Sequence, residues 1–293
     1  MSRSIAYLLI ILISNFSFLL SSCSDISEDE RLTVVSLVEK DTTAVDTAVV
    51  NPGDDIFAPM ARHVLIEDFT GQNCVNCPNA TDRISQIQKK YDHETVVAVA
   101  IHSGPLGVKV SKSPLGLATD LGDTYYNFWK IESQPMGVID RSGGLLYIDS
   151  WSDRVDSDLG AFVPPVNLWV DTTVPDASAS EAASSLQPLN IQVRLAGREQ
   201  LTGRLQLWLT EDSIVAPQKM PDGSANKNYV HNHVLRDAVN GDWGDELTIA
   251  QGEEQTLDFT YTPQSTWNIS HLAVVTFITN ADGTVVQVVR KSF

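Results

Sequence analysis

The sequence predicts an α/β domain followed by an all-β sandwich, and two stretches carry that expectation. The first is Val64 to Ile84, VLIEDFTGQNCVNCPNATDRI. Val64, Leu65, Ile66 and Phe69 form the near-continuous apolar run of a central strand, and Gly71 and Asn73 break it. A Cys-x-x-Cys pair then opens a helix, with Pro78 in the first turn, where its missing N–H would have been unpaired anyway. A second apolar strand, Thr95 to Ile101, follows, and strand–helix–strand with apolar strands implies a right-handed parallel crossover. The second stretch begins after Pro164-Pro165, where helical periodicity gives way to short alternating strands between turns. That pattern describes a β-sandwich.

The chain has 293 residues, enough for two domains, with 43% hydrophobic residues and a formal charge of −17. Such acidity argues against binding nucleic acid or anionic headgroups by charge, since both would repel it. Its first residues read as targeting. Arg3 precedes an apolar run from Ile5 to Leu20 that is short for a membrane span, and Leu20-Ser21-Ser22-Cys23 follows. The tetrapeptide resembles the lipobox of bacterial lipoproteins, which implies a signal peptide over 1–22 and an acylated Cys23 as the mature N-terminus. Three cysteines in an exported protein would leave one unpaired. With Cys23 given to lipid, Cys74 and Cys77 remain as a pair.

Residues 23–60 read as a tether. Asp25, Glu28, Asp29 and Glu30 resemble the surface-export signal of some Gram-negative lipoproteins and equally fit a solvated linker. Leu32 to Val38 could pair as an edge strand, and Asn51 to Asp55 is a turn. The α/β domain spans 61–164. After its first crossover come a Gly/Pro loop from Gly104 to Gly116 and a helix from about Leu117 to Lys130. A strand then opens at Pro135, turns at Arg141 to Gly144 and returns over Leu145 to Ile148, and a helix runs from Trp151 to about Phe162. The aromatics Tyr125 to Trp129, with Trp151, Trp169 and Trp208, are assigned to core. The sandwich spans 165–293, with strands at Val166–Val174, Leu189–Leu195, Gly203–Thr210, Tyr229–Val239, Gln255–Tyr261, His271–Thr279 and Val285–Val289, and a small-residue loop at Asp176 to Ser185.

Two cysteines three apart at a helix start put the first sulfur near unpaired N–H groups and the positive dipole end, which favours a thiolate on Cys74. Residues 64 to about 160 resemble the thioredoxin fold. Asp68-Phe69 stands before the cysteines as the buried aspartate of thioredoxins does, and Gln134-Pro135 followed by Val138-Ile139-Asp140-Arg141-x-Gly143 looks like their cis-proline strand and hairpin. Nearly the whole mature chain resembles the Omp-twenty-eight-like outer membrane lipoprotein family, through Glu67 to Gly71 before Cys74-x-x-Cys77-Pro78 and through Tyr229 to Arg236. A surface adhesin role is suggested for that family.

The fold class expected is therefore an α/β thioredoxin-like domain followed by an all-β immunoglobulin-like sandwich. The function implied is extracytoplasmic thiol–disulfide exchange, with protein thiols and disulfides as partners and the lipid on Cys23 as the tie to the membrane, most plainly the outer one. Cys74 is the attacking thiolate, exposed and of low pKa, and Cys77 the resolving thiol. Asp68, desolvated beneath them, takes the proton from Cys77. Pro135 keeps the site open to a substrate backbone, and Gln134 and Met136 offer edge pairing to an extended peptide. The sequence departs from thioredoxins at Asn73, at Val75-Asn76 between the cysteines and at Gln134, positions that tune redox potential. The alternative is a surface binding or adhesion lipoprotein whose dithiol is not catalytic. No cofactor and no metal are expected: His231 and His233 share a strand face by spacing, but no third ligand is near, so hydrogen-bonding roles suit them better.

Overall fold

The computed structural model describes residues 55–113, 115–175 and 187–293. The signal peptide, Cys23, most of the tether with its edge strand, and the Asp176 to Ser185 loop lie outside the described residues. The last tether residues are docked rather than trailing: Asn167 donates through Nδ2 to the carbonyls of Ile56 and Ala58, at 2.8 and 2.7 Å, and Arg198 Nε donates to that of Phe57.

β1 (Val64–Thr70) is buried along its whole length, as its apolar run requires. α1 (Cys77–Tyr91) follows, capped by Asn76 without a side-chain bond. Its buried Ala80, Ile84 and Ile87 form one stripe at helical spacing, and its last turn carries Lys89 and Lys90 at the negative dipole end. Asp92, at φ 70°, ends the helix and accepts from the N–H groups of Glu94 and Thr95. β2 (Val96–His102) pairs with β1 in parallel, completing the crossover. α2 (Asp120–Phe128) is capped by Thr119, which accepts from the N–H of Gly122 at 2.9 Å. β3 (Met136–Ile139) runs antiparallel to β1, and β4 (Leu145–Leu146) pairs with β3. α3 (Trp151–Leu159) lays Trp151 against β3 at Gly137, where any Cβ would collide with the indole.

The later strands are β5 (Val166–Thr173), β6 (Leu189–Gly197), β7 (Leu201–Glu211), β8 (Ile214–Lys219), β9 (Ala225–His231), β10 (Val234–Ala238), β11 (Asp245–Ile249), β12 (Glu254–Tyr261), β13 (Leu272–Asn280) and β14 (Val285–Ser292). A nine-stranded mixed sheet runs β14-β13-β7-β10-β2-β1-β3-β4, with β11 beside β7. The three strands β12-β6-β5 form a second sheet, and β8-β9 a separate hairpin. Leu168, Ile191 and Val193 of the small sheet pack with Leu207, Leu209 and Val274 of the large one, so two sheets face each other as in a sandwich, but the large one continues through β2, β1, β3 and β4 and does not close a separate all-β domain.

Two modules independent at Pro164 are not what the chain builds. β10 returns from the C-terminal half to pair in parallel with β2, Val234 opposite Ala100, and Ala100 N–H donates to the His233 carbonyl at 2.8 Å. One core cluster joins Leu65, Val97, Ile101 and Tyr125 to Trp208, Leu235, Val275 and Phe277. The reason is that β2 is apolar on both faces and would otherwise present an unpaired edge, which the later strands cover.

Alternation along β1 and β2 decides which side chains meet α1. Val64 and Ile66 share their face with Asp68, and Val96 and Ala98 share theirs with Ala100 and His102. The opposite face carries Glu67, fully buried and held by Arg141 through Nε at 2.8 Å and Nη2 at 3.2 Å. Phe128 departs from its core assignment and is 57% exposed: it is the last residue of α2, where its ring meets those of Trp129 and Trp243.

Candidate functional site

Cys74 and Cys77 are joined by a disulfide, their Cα atoms 5.4 Å apart. The helix starts at Cys77, not Cys74, so Cys74 sits in the turn ahead of it with its N–H given to the Gly71 carbonyl at 3.0 Å. The dipole end therefore faces the pair from one turn further on. Both cysteines are buried, at 2% and 1% exposure, which corrects the expectation of an exposed Cys74.

The cover comes from a segment that sequence patterning misses. Gln218 of β8 donates through Nε2 to the carbonyls of Cys74 at 2.9 Å and Gly71 at 3.3 Å. Lys219 N–H donates to the Gln72 carbonyl, and Gln72 Nε2 donates to those of Leu115 and Pro217. Gly71 has to be glycine, because a Cβ there would lie 2.6 Å from the Leu106 backbone. Leu117, Ala216 and Val234 anchor the hairpin in a small apolar cluster of their own.

The Gln134-Pro135 peptide bond is cis. The Gln134 carbonyl oxygen lies 3.5 Å from Cys74 Sγ, and Gln134 Nε2 donates to the carbonyls of Thr70 at 2.7 Å and Ser103 at 3.1 Å. Gln134 and Pro135 are half-buried beside the cysteines, while Met136 turns into the core opposite Phe69. Of the three residues expected to meet a peptide, two are at the surface of the site.

Asp68 stands on the α1 face of β1, 2% exposed, and burial pushes its carboxyl up from an ordinary 3.8 to about 8. It lines a cavity of about 20 Å³ with Cys77, Pro78, Thr81, His102, Gln218, Tyr229 and His231. Burial holds both histidines below their usual range, His231 at about 4, and His102 is also repelled by His231 and Arg236. Their rings lie 5.2 Å apart, edge to face.

His231 and His233 do not share a face. The strand expected from Tyr229 to Val239 breaks after β9, and His233 takes φ 59° in the turn. His231 is buried at the end of β9, whereas His233 N–H donates to Asp212 Oδ1 at 2.6 Å and its Nδ1 lies 3.1 Å from the same oxygen. Among the described residues, no group of three or more His, Cys, Asp or Glu is placed to hold a metal ion. No helix among them is long and apolar enough to cross a membrane.

Comparison with known proteins points to one family. The family model of the outer membrane protein Omp28 matches residues 122–293. No curated protein matches the chain. Among solved structures, HBP35 of Porphyromonas gingivalis is similar with a TM-score of 0.55 and 15% identity, over 80% of this chain and 76% of that one, a likeness of fold. A domain of the outer membrane lipoprotein Omp28 from Porphyromonas gingivalis is 21% identical over 44% of this chain and 88% of that chain, with a TM-score of 0.28.

Proposed function

The chain belongs to the Omp28 family of outer membrane proteins, and on that premise we propose that it is a lipid-anchored thiol–disulfide oxidoreductase of the cell envelope. Its α/β part acts as a thioredoxin-like module. The observation that carries this reading is the juxtaposition of three parts: a Cys74–Cys77 disulfide ahead of α1, the cis Gln134-Pro135 loop against Cys74, and the buried carboxyl of Asp68 in a cavity with Cys77. A disulfide closing so short a ring adds little chain entropy, so stapling the turn is a weak reason to have it.

In the reducing direction the Cys74 thiolate attacks one sulfur of a client disulfide. The client S–S bond breaks, a mixed disulfide forms and the client's other sulfur leaves as thiolate. Once the Asp68 carboxyl has lost its own proton to solvent, Cys77 gives its proton to the carboxylate, its sulfur bonds to Cys74 Sγ, and the second client thiolate is released. The client gains two electrons and the dithiol becomes the disulfide; run backwards, the same steps oxidise a client dithiol. Because Cys74 is buried, the loop held by Gln218 opens before attack. Gln134 and Pro135 receive the client backbone beside it, and the acyl chain on Cys23 keeps the module at the membrane.

A binding or adhesion role is the second reading, and the groove beside the Phe128–Trp243 ring pair, whose centroids are 4.7 Å apart, favours it. It holds about 170 Å³ lined by aromatic side chains together with Arg141, Arg204 and Gln206, with Phe128 57% and Trp243 38% exposed. Trapping in cells separates the two. Cys77→Ser should accumulate mixed disulfides with envelope proteins and Cys74→Ser almost none, whereas no adducts from either variant would move the assignment to binding.

A further inference from the structure

The cavity behind the disulfide holds an unmatched set of polar atoms. Asp68 Oδ1, His102 Nδ1 and His231 Nε2 are each buried with no hydrogen-bond partner among the described residues, and all three residues line the same space of about 20 Å³. Unpaired buried polar atoms are costly and rare, so three around one cavity call for a role. The space suffices for one water-sized molecule with polar neighbours. His231 is hydrogen-bonded to the Ala216 backbone, and since its Nε2 has no partner that bond uses Nδ1. A ring that donates from Nδ1 while neutral keeps a lone pair on Nε2. A protonated carboxyl is a donor in need of an acceptor, and Nε2 is an acceptor in need of a donor.

We propose that His231, carried in by the β8–β9 hairpin, is the proton partner of Asp68, its Nε2 accepting the carboxyl proton through one water held in the cavity they share, so that the C-terminal half of the chain sets the protonation of the N-terminal cysteine site. His231 is a positioning residue: it acts through Asp68 and does not touch the sulfurs' reaction. This inference rests on the exchange reaction proposed above. When Cys77 is deprotonated and its sulfur closes on Cys74, the proton that leaves it resides on Asp68, shared with His231, until solvent removes it.

The groups facing Asp68 are consistent with that assignment. Cys77 comes from α1, along with Thr81, whose side chain bonds Tyr229, and Asp82 beyond it. His102 comes from β2, with Arg236 of β10 near it and paired to Glu211 of β7 at 3.3 Å. An outer groove of about 220 Å³, lined by Lys89, His93 and His233, also reaches Asp68 and gives the proton a way out. No cation in this set is bonded to the Asp68 carboxyl, which leaves His231 and His102 as its neighbouring acceptors, and His231 has its tautomer fixed by Ala216. A carboxyl held protonated near the thiol range is matched to a cysteine for proton transfer.

The test separates attack from resolution. Reduced protein mixed with an aromatic disulfide that releases a coloured thiolate should give two phases, the first from attack by Cys74 and the second from resolution by Cys77. In His231→Leu the acceptor is lost, the protonated form of Asp68 is less stable, and the rise of the second phase with pH should move down by about one unit. The first phase should stay where it was, and His231→Gln, which keeps an acceptor, should move back towards the original profile. An unmoved second phase with both phases present overturns the inference, while absence of the second phase in the unaltered protein overturns the exchange reading instead. Two readouts do not depend on exchange. The infrared carboxyl band of Asp68 in the oxidised protein should titrate about one unit lower in His231→Leu. Should that variant not fold, ¹⁵N shifts of the unaltered protein should show His231 neutral with its proton on Nδ1; a proton on Nε2 overturns the proposal.

Discussion

Replacing Asp68 by asparagine should stabilise the oxidised protein, and the gain should grow with pH. Burial raises the folded-state pKa from 3.8 to about 8, so between these values the unfolded chain has lost a proton that the folded protein keeps. Stability therefore falls as pH rises through that window, by about 1.4 kcal/mol per unit, and is level below it and above it. The 3.2 units between 3.8 and pH 7 correspond to an upper value of about 4 kcal/mol. Asparagine is neutral in both states and removes this dependence while nearly keeping the shape. For a body of this size that is a rise in Tm of roughly 8–16 °C at pH 7 and almost none at pH 4. Urea unfolding of both proteins, disulfide intact, at pH steps from 4 to 9 reads it directly. A stability difference that is the same at pH 5 and pH 8 would refute the raised pKa, and with it the role of Asp68 as a proton store.

Other consequences concern the body around the site. Arg141→Ala should cost about 3–5 kcal/mol, because it leaves Glu67 buried without its partner, and denaturant titration measures this. A fragment of residues 60–164 should be molten, binding hydrophobic dyes and unfolding without cooperativity, because β2 loses β10 and the shared core loses Trp208, Leu235, Val275 and Phe277; a sharp unfolding transition would show that the α/β part folds alone. Cys23→Ala should release the protein into the soluble envelope fraction with its fold intact, and persistence in salt-washed membranes would contradict the lipobox.

Much of the fold is legible in local pattern. The apolar run of β1, the stripe on α1 and the alternation of β5, β6, β12 and β13 are short-range signals, and each element falls within a few residues of its expected place. What stays hidden depends on long-range contact. β8 carries Pro217 in its middle and β11 is DELTI, with charges at its start, so neither reads as a strand until β9 and β7 supply partners. The break at Asn232-His233 follows from a left-handed backbone fixed by Asp212, far back in sequence. Of the site, Cys74, Cys77, Asp68 and the Gln134-Pro135 loop are visible as motif. Gln218, Gln72, His102 and His231 are not, because their meaning arises only when the hairpin folds over the disulfide. Spacing alone groups His231 with His233, the wrong neighbour.

Equilibration of the folded protein with glutathione tests the central claim most directly. A working exchange site should interconvert reversibly between dithiol and disulfide, with a potential above about −300 mV, where redox enzymes lie and inert structural disulfides do not. Alkylation of the partly reduced protein at graded glutathione ratios, read by mass, gives the value. A Cys74–Cys77 bond that stays oxidised across the whole series, and yields only when the protein is unfolded, would contradict the account.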